Sequence, residues 1–600
     1  MGSDKKDNRS IISRNSVHDE EKQVPTTVAS KYRWKVNADS SPPEIYNRTL
    51  YLCIFVFGIL GAARGFDEGN ISGAMALPSF KKYFGLADKH KTKDELANLK
   101  SNIASMVQLG AIGGAMIAMY SVDKLGRVRA LQAVCIIWII GAILQVFAQS
   151  VGMLYAGRLI EGLAIGQTTT IGPSFTSEVA PKAIRGMAVS IFSGAVYLGI
   201  MCGYFVSYGA VLHISNDSRK QWVVGVSLKI VLAGLIFILS MLFCYESPRW
   251  LLKVGQPDKA IENLSKLRHL PPDHPYIIGE ISDINEQVLS EKEAKANRNL
   301  LHQFKEIVTV KSIRYRFFAV CALAQLLGQW SGANAVTIYA SELFSLAGIK
   351  GTDVLKMSAV LGVVKFISAY LCAFFIIDFL GRRRALYIGV TIQFITILYF
   401  AIFLHVVPQA ADDGAVLTAS QKRASLGALA ALFLSGTGWT MGFNSIQYLL
   451  GSEIFPLKIR SFAQSLTMIL HFANQYGNSK ALPKMLLAMN NFGAFYFFCG
   501  VMLIGLFWCW FFVPEVAGRS LESMEDIFNL PWYLIGRKGP ELCPDYSEIN
   551  KITYTTLGAT NTYESHINYL EKDKASQEFV ENADEAKENR DSLDKFQEKV

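Results

Sequence analysis

Four ionisable side chains are conspicuous inside long apolar stretches: Asp67, Arg158, Lys365 and His471. A charge at bilayer depth is costly, so such residues mark solute paths, proton relays or buried ion pairs. Asp67 lies in Arg64-Gly65-Phe66-Asp67-Glu68-Gly69-Asn70, and Arg158 opens GRLIEGLAIGQ. A carboxylate beside a guanidinium stays ionised, and the same carboxylate pulled away in apolar surroundings takes a proton. Repeated pairing and separation would couple a proton to a conformational switch; a static buried pair is the alternative. His471, in TMILHFANQ, has an ordinary pKa near 6.5. It can titrate, hydrogen-bond a solute hydroxyl, or serve as a structural core histidine. Lys365, in GVVKFISAYL, can donate to a solute, pair with a carboxylate, or snorkel to one face.

A second group of residues suits hydroxylated ligands. The stretch Gln325-Leu-Leu-Gly328-Gln329-Trp330-Ser331-Gly332-Ala333-Asn334 runs on to Tyr339. Each amide offers both a donor and an acceptor to neighbouring hydroxyls. An aromatic ring covers a C–H face, and Gly332 lets a helix bend or pack closely. Amides that bond helix to helix are the competing explanation. No nucleotide cradle, metal-ligand cluster, nucleophile triad or ion-filter loop is visible, so no catalytic residue, metal or cofactor is expected. Of nine cysteines, eight lie within or at the ends of apolar stretches and Cys543 lies near the C-terminus. None forms a CxxC pair, and core packing accounts for them.

The elements that hold these residues are membrane spans. The 600 residues are 51% hydrophobic and 18% charged. The apolar residues come in runs such as 492–513, which is free of charge, and 224–244, whose one charge is Lys229 near its start. A helix of roughly 20 residues crosses a hydrocarbon core of about 30 Å. Barrel strands would alternate apolar and polar, and these runs do not. Twelve spans follow, near 48–66, 102–121, 129–148, 153–175, 188–210, 222–244, 316–345, 354–377, 385–407, 426–450, 461–488 and 492–513. Basic residues gather in alternate loops, which predicts both termini and the 246–315 segment on the cytoplasmic side. That distribution also argues against nucleic acid as the partner of the +9 net charge. The loop 81–100 disagrees, being predicted outside yet carrying six lysines. Segments 258–270 and 275–296 read as amphipathic linker helices. The termini, 1–45 and 514–600, read as cytoplasmic tails, the first of them and the charged end of the second disordered.

The chain repeats itself. Asp123-Lys-Leu-Gly126-Arg127 is echoed by Asp378-Phe-Leu-Gly381-Arg382, and Ser177-Glu178 through Arg185 by Ser452-Glu453 through Arg460. Glu246-Ser-Pro248-Arg249-Trp250 and Pro514-Glu515-Val-Ala-Gly518-Arg519 close the two halves. This is a parallel repeat with its site at the half–half interface. The pairs DxxGRR, SExxPxxIR, ESPRWL and PExxGRSLE resemble the sugar porter family of the major facilitator superfamily, from about residue 48 to 525. The resemblance implies an all-α membrane protein of twelve transmembrane helices in two six-helix repeats, 46–245 and 316–513, joined by a cytoplasmic helical linker at 246–315. It implies that Asp123, Arg127, Glu178, Arg185, Glu246, Arg249, Asp378, Arg382, Glu453, Arg460 and Glu515 latch the cytoplasmic gate. Topology-setting positive-inside charge is the plainer alternative for them.

Asp67 and Arg158 match the Asp/Arg pair of proton-coupled family members. Gln329 and Asn334 match the family's QQxxGxN pattern, with Gly328 replacing its first Gln. Lys365 falls near a family Asn, and His471, close to Asn474, stands where an amide is usual. Ser193 replaces a Gln in the fifth helix. Asn444, Ser445 and Tyr448 replace Gly, Pro and Trp in the tenth, and loss of the Pro predicts a stiffer tenth helix. QWV at 221–223 and PEVAGRSLE depart from the family's QWR and PETKGxxLE. The expected binding set is Gln329, Asn334, Tyr339, Ser193, Lys365, Asn444, Tyr448, His471 and Asn474. The implied function is proton-coupled import of a monosaccharide such as fructose, or of a pentose or polyol, by a monomeric plasma-membrane protein. A proton-independent facilitator and a transporter-like sugar receptor are the alternatives. Asn216-Asp217-Ser218 forms a glycosylation sequon in an outer loop.

Overall fold

A computed structural model of the chain describes residues 42–181, 184–295, 300–376, 380–412, 417–444, 454–456, 459–515 and 527–542. Most of both tails, and with them Asp378, Tyr448 and Glu453, lie outside the described residues. The described chain is helical throughout its regular structure.

The first half comprises α1 (Arg48–Ala74), α2 (Lys93–Leu125), α3 (Arg127–Val146), α4 (Val151–Val179), α5 (Arg185–His213) and α6 (Lys220–Phe243). Linker helices Pro248–Lys253, Pro257–Arg268 and Pro275–Lys295 follow, close to the predicted bounds. In the second half, α7 spans Lys311–Gln329 and continues, after a break, as Ala333–Ile338 and Ala340–Leu346. Then come α8 (Asp353–Leu371, running on to Ile376), α9 (Arg382–Val406), α10 (Ala419–Trp439, running on to Asn444), α11 (Arg460–Ala488) and α12 (Phe492–Phe512).

Side-chain caps set several starts. Asn47 accepts from Leu50 N at 2.9 Å at the head of α1, and Thr92 with Glu95 closes a capping box at the head of α2. Thr418 with Gln421 repeats that box at α10. Each satisfies amides that a helix start leaves unpaired.

Packing repeats as the sequence does. In the first half α1 lies on α5, α2 on α4, and α3 on α4 and α6; in the second α7 lies on α11, α8 on α10, and α9 on α10 and α12. The halves meet through α2 against α11 and α5 against α8, the two contacts a two-fold axis relating the repeats would exchange. Large apolar side chains such as Ile238, Met241 and Phe507 point outward, the surface a lipid-facing helix needs.

Among the described residues, nine helices are long and apolar enough to cross a membrane on those criteria alone. The three spans that fall short are α4, α7 and α11, because they carry the polar side chains of the interior or are broken. The predicted stiffness of α10 is not found. Gly442 takes a non-helical conformation (φ −87°, ψ −111°) within Thr440–Asn444, so a glycine supplies the break that the missing proline does not.

Candidate functional site

Four charges meet in the first half, all of them buried. Arg158 Nη1 donates to Asp67 Oδ1 at 3.3 Å. Lys229 of α6 donates to the same oxygen in a shorter contact, and to Glu161 Oε2 at 3.1 Å. Glu161 also accepts from Trp138 Nε1 at 2.8 Å and from the Gln145 amide. Nε and Nη2 of Arg158 meet no hydrogen-bond partner among the described residues. Helix geometry explains the convergence: Arg158 and Glu161 are three apart and share one face of α4. Asp67 comes from α1, Lys229 from α6 and Trp138 with Gln145 from α3.

The expected pairing of Asp67 with Arg158 is present, but Lys229 is the nearer cation. Lys229 stands well inside α6, and its position near the start of an apolar run hid it. Glu161 was legible as a second intramembrane acid three residues after Arg158. Arg64 was equally legible beside Asp67. Its Nε lies 3.7 Å from Glu68 and its Nη2 3.4 Å from His471 Nε2, with the guanidinium over the Phe472 ring.

The polar residues of α7 and α11 interlock at the interface. His471 Nδ1 lies 2.9 Å from Gln325 Oε1 and 3.3 Å from Gln329 Nε2. Donation from Nδ1 to Gln325 leaves Nε2 to accept from Arg64. Asn334 donates to Ser479 Oγ at 2.9 Å and accepts from Gln475 at 3.1 Å, while Gln475 also reaches Glu68 across the interface at 3.3 Å. Tyr339 donates to the Ser479 carbonyl at 2.8 Å, and Trp330 to Asn474 Oδ1 at 3.2 Å. Gln329 and Asn334 are 1% and 6% exposed, which keeps them away from lipid. Gly332, at φ +85°, makes the break in α7, and a Cβ there would stand 2.8 Å from Phe498.

Lys365 neither snorkels nor forms an ion pair among the described residues. It is 1% exposed and donates to Thr337 Oγ1 at 2.5 Å. Ser193 is half-buried on α5. Asn444 is buried, and its Nδ2 has no partner among the described residues; the same holds for Gln475 Oε1 and Asn478 Oδ1.

The loop charges pair within their own half. Arg127 Nη2 meets Glu178 at 2.7 Å and Nη1 meets Asp123 at 3.7 Å. Glu246 accepts from Arg127 N at 2.7 Å, Val128 N at 3.1 Å and Ser247 N at 3.1 Å, capping α3 with a carboxylate. Burial pushes the Glu246 carboxyl above the usual range, against the pull of those three amides. Glu515 does the same for α9, accepting from Arg382 N at 2.9 Å and Arg383 N at 3.0 Å. The linker helices pack under these loops through Lys253–Asp123 at 2.7 Å, Arg249–Glu291, and Arg268 to the Val179 carbonyl at 3.0 Å. Arg185 is exposed near Arg249, Arg268 and Glu280, and Arg460 donates to the Phe455 carbonyl at 3.2 Å.

The lysines of 81–100 find work at the face opposite the linker. Lys100 pairs with Glu342 across the halves at 3.0 Å, and Lys82 with Asp217 at 2.9 Å, which holds the Asp217 carboxyl below its usual range. Lys480 of α11 donates to Asn102 of α2 at the same end, and Tyr204 of α5 to the Thr337 carbonyl at 2.5 Å. Asn216 is exposed there, its Oδ1 accepting from Gln221 at 2.8 Å.

The family model described as "Sugar (and other) transporter" matches residues 53–528. The probable quinate permease of Aspergillus fumigatus is 32% identical over 496 residues, 82% of this chain and 89% of that protein. The quinate permease of Neurospora africana is 31% identical over 501 residues, 82% and 90% of the two chains. The structure of the major facilitator superfamily proton:xylose symporter XylE bound to 6-bromo-6-deoxy-D-glucose superposes with a TM-score of 0.65 at 21% identity, covering 80% of this chain and 99% of that one. Inward-open XylE from E. coli gives 0.63 at 20% identity, over 79% and 99%. At that identity the likeness shows the fold: twelve helices in two six-helix repeats. Family match, relatives and fold agree with the repeated loop motifs and the buried polar interface, and the chain belongs to the sugar porters of the major facilitator superfamily, a family of multi-pass membrane transporters.

Proposed function

We propose that this transporter imports a monosaccharide or polyol together with a proton, by alternating access of a site between its halves. The observation that carries the solute class is the set of buried amide atoms on α10 and α11 that meet no partner among the described residues: Asn444 Nδ2, Gln475 Oε1 and Asn478 Oδ1. A buried polar atom left unmatched costs about 1–3 kcal/mol. A ligand bearing several hydroxyls answers donors and acceptors alike. Gln475 donates to Asn334 and Asn478 to the Gln329 carbonyl, and in this reading Tyr339, Lys365, His471, Asn474 and Ser193 complete the site. Asp67, beside Arg158, supplies the carboxylate that takes the proton when the pair opens. In this reading the termini and linker are cytoplasmic, Asn216 faces outward at the plasma membrane, and the loop carboxylates and arginines hold the cytoplasmic side.

A second substrate reading has its own support. Arg64, whose Nη2 lies 3.4 Å from His471, and Lys365, which donates to Thr337 Oγ1, concentrate positive charge among the binding residues. A hydroxylated carboxylate would answer it, and the curated relatives above carry the name quinate permease.

The test is uptake of labelled D-fructose, D-xylose, sorbitol and quinate in transporter-deficient yeast cells at external pH 5 and 7. Faster, concentrative uptake at the lower pH, abolished by a protonophore and accompanied by alkalinisation of unbuffered medium, is expected. Uptake of quinate alone selects the second reading. Uptake unchanged by the protonophore removes the proton, and entry of no solute from a protein at the cell surface removes the assignment.

A further inference from the structure

The coupling site of the proposed function holds more charge than one acid and one base. Lys229 and Glu161 are both buried, 2% and 0% exposed, and 3.1 Å apart. Together with Asp67 and Arg158 they make two anions and two cations, so the set is neutral when all four are ionised. The pairing is crossed: Lys229 bridges Asp67 and Glu161, whereas Arg158 reaches Asp67 through Nη1 at 3.3 Å and leaves Nε and Nη2 without hydrogen-bond partners among the described residues. Glu161 accepts from Trp138 Nε1, the Gln145 amide and Lys229.

We infer that Lys229 and Glu161 are positioning residues of the coupling site, a mutually neutralising pair through which Lys229 supplies Asp67 with a second cation and so sets how readily it is protonated. The inference rests on the proton-coupled reading of Asp67. The physical reasons are two. A buried charge stripped of its partner is strongly destabilising, so Lys229 can stand beside Asp67 only because Glu161 balances it. A carboxylate held by two cations gives up its ionised form less easily than one held by a single cation. Proton binding then converts Asp67 from carboxylate to acid and takes the set from neutral to one net positive charge. Lys229 keeps its bond to Glu161 throughout, so it has somewhere to remain when Asp67 lets go. Neighbouring titratable groups are Glu68 on α1, adjacent to Asp67 and paired with Arg64 at 3.7 Å, and Tyr339 on α7. Of these, Tyr339 lies close enough to Arg158 to feel its charge.

The full-length chain decides this through a double-substitution cycle with two readouts. Thermal unfolding of the purified protein needs no substrate. Glu161→Gln and Lys229→Gln should each lower Tm by several degrees, and the double variant should recover most of that loss. The pH profile of uptake, for whichever of D-fructose, D-xylose, sorbitol or quinate the parent carries, separates positioning from mere structural balance. The double variant leaves Asp67 one cation instead of two, so its half-maximal uptake should move to higher pH. Lys229→Arg should keep the parental profile. A double variant no more stable than the weaker single one, or one whose profile superimposes on the parent's, overturns the inference. If the parent carries none of the four solutes, or its uptake ignores pH and protonophore, the proposed function is what fails; the unfolding cycle still decides whether the two residues neutralise each other.

Discussion

Glu246 and Gly126 form one device at the head of α3. Gly126 takes φ +90° and ψ 174°, a region open essentially to glycine, and a Cβ there would stand 2.6 Å from Glu246 Oε2. Gly381 and Glu515 repeat the arrangement at the head of α9, with φ +85° and a contact of the same 2.6 Å. Gly126→Ala should therefore lower stability by about 1–3 kcal/mol, read as a fall in Tm of the purified protein. Glu246 also makes a pH prediction. Its carboxyl is raised by burial, so the folded chain holds that proton more tightly than the unfolded one. Stability from this group is highest at low pH and falls as pH rises through the carboxylate range and above it. The Tm of the parent relative to Glu246→Gln should drop between pH 5 and pH 7.5; a flat or rising difference contradicts the assignment. Asp67→Asn cannot release a proton, and should abolish concentrative uptake while leaving exchange of solute across the membrane intact. At this scale the sequence carried Asp67, Arg158 and His471 openly, because a charge in an apolar run announces itself. It did not reveal that Lys229 outranks Arg158 at Asp67, since that depends on how α6 turns against α1.

Among the elements, α7 is the one whose sequence spoke most clearly. Gly332 allowed either a bend or close packing, and the chain breaks there, between 311–329, Ala333–Ile338 and Ala340–Leu346. Gly332→Ala places a side chain in the left-handed region and against Phe498, and should cost about 1–3 kcal/mol. It should also slow transport beyond any loss of surface protein, as judged by uptake normalised to labelled protein at the cell surface. The amphipathic linker helices were predicted within a residue or two, because a helix lying on protein keeps a polar face. The ends of α1 and α2 were misjudged. Polar residues extend both beyond the apolar windows, to Ala74 and back to Lys93, and a search by hydropathy stops where the charges start. The break in α10 was missed because a proline was sought where a glycine acts.

Across the whole molecule, three polar contacts between the halves lie toward the face away from the linker, Lys100–Glu342, Lys480–Asn102 and Tyr204–Thr337, beside Arg64–His471 and Gln475–Glu68 among the site residues. The Lys100–Glu342 pair is about one-third exposed at each side chain, so its contribution is small, on the order of 0.2–1 kcal/mol. Glu342→Lys should raise the labelling rate of a cysteine placed at Ser341 by a few-fold from the outer side, and Lys100→Glu in the same chain should restore it. No change in either variant would mean that the pair does not hold this face shut. The fold itself was legible because the loop motifs repeat in order, and each repeat returns the same helix pairings. Which charges meet across the halves was not legible, since both faces carry them and sequence alone does not pair them.

One packing detail sets the mechanics. Along α1, Gly61, Gly65 and Gly69 each bring its backbone against a carbonyl of α5, and Gly110 and Gly114 of α2 meet Gly162 and Gly166 of α4 in the same way. Helices seated backbone to backbone have no long side chains between them to slide or repack. The same seating recurs in the second half, where Gly389 and Gly438 bring α9 and α10 together, but there irregular turns at Gly332 and Gly442 interrupt the long helices. A side chain added at any of these α1 or α2 glycines would have to push two helices apart.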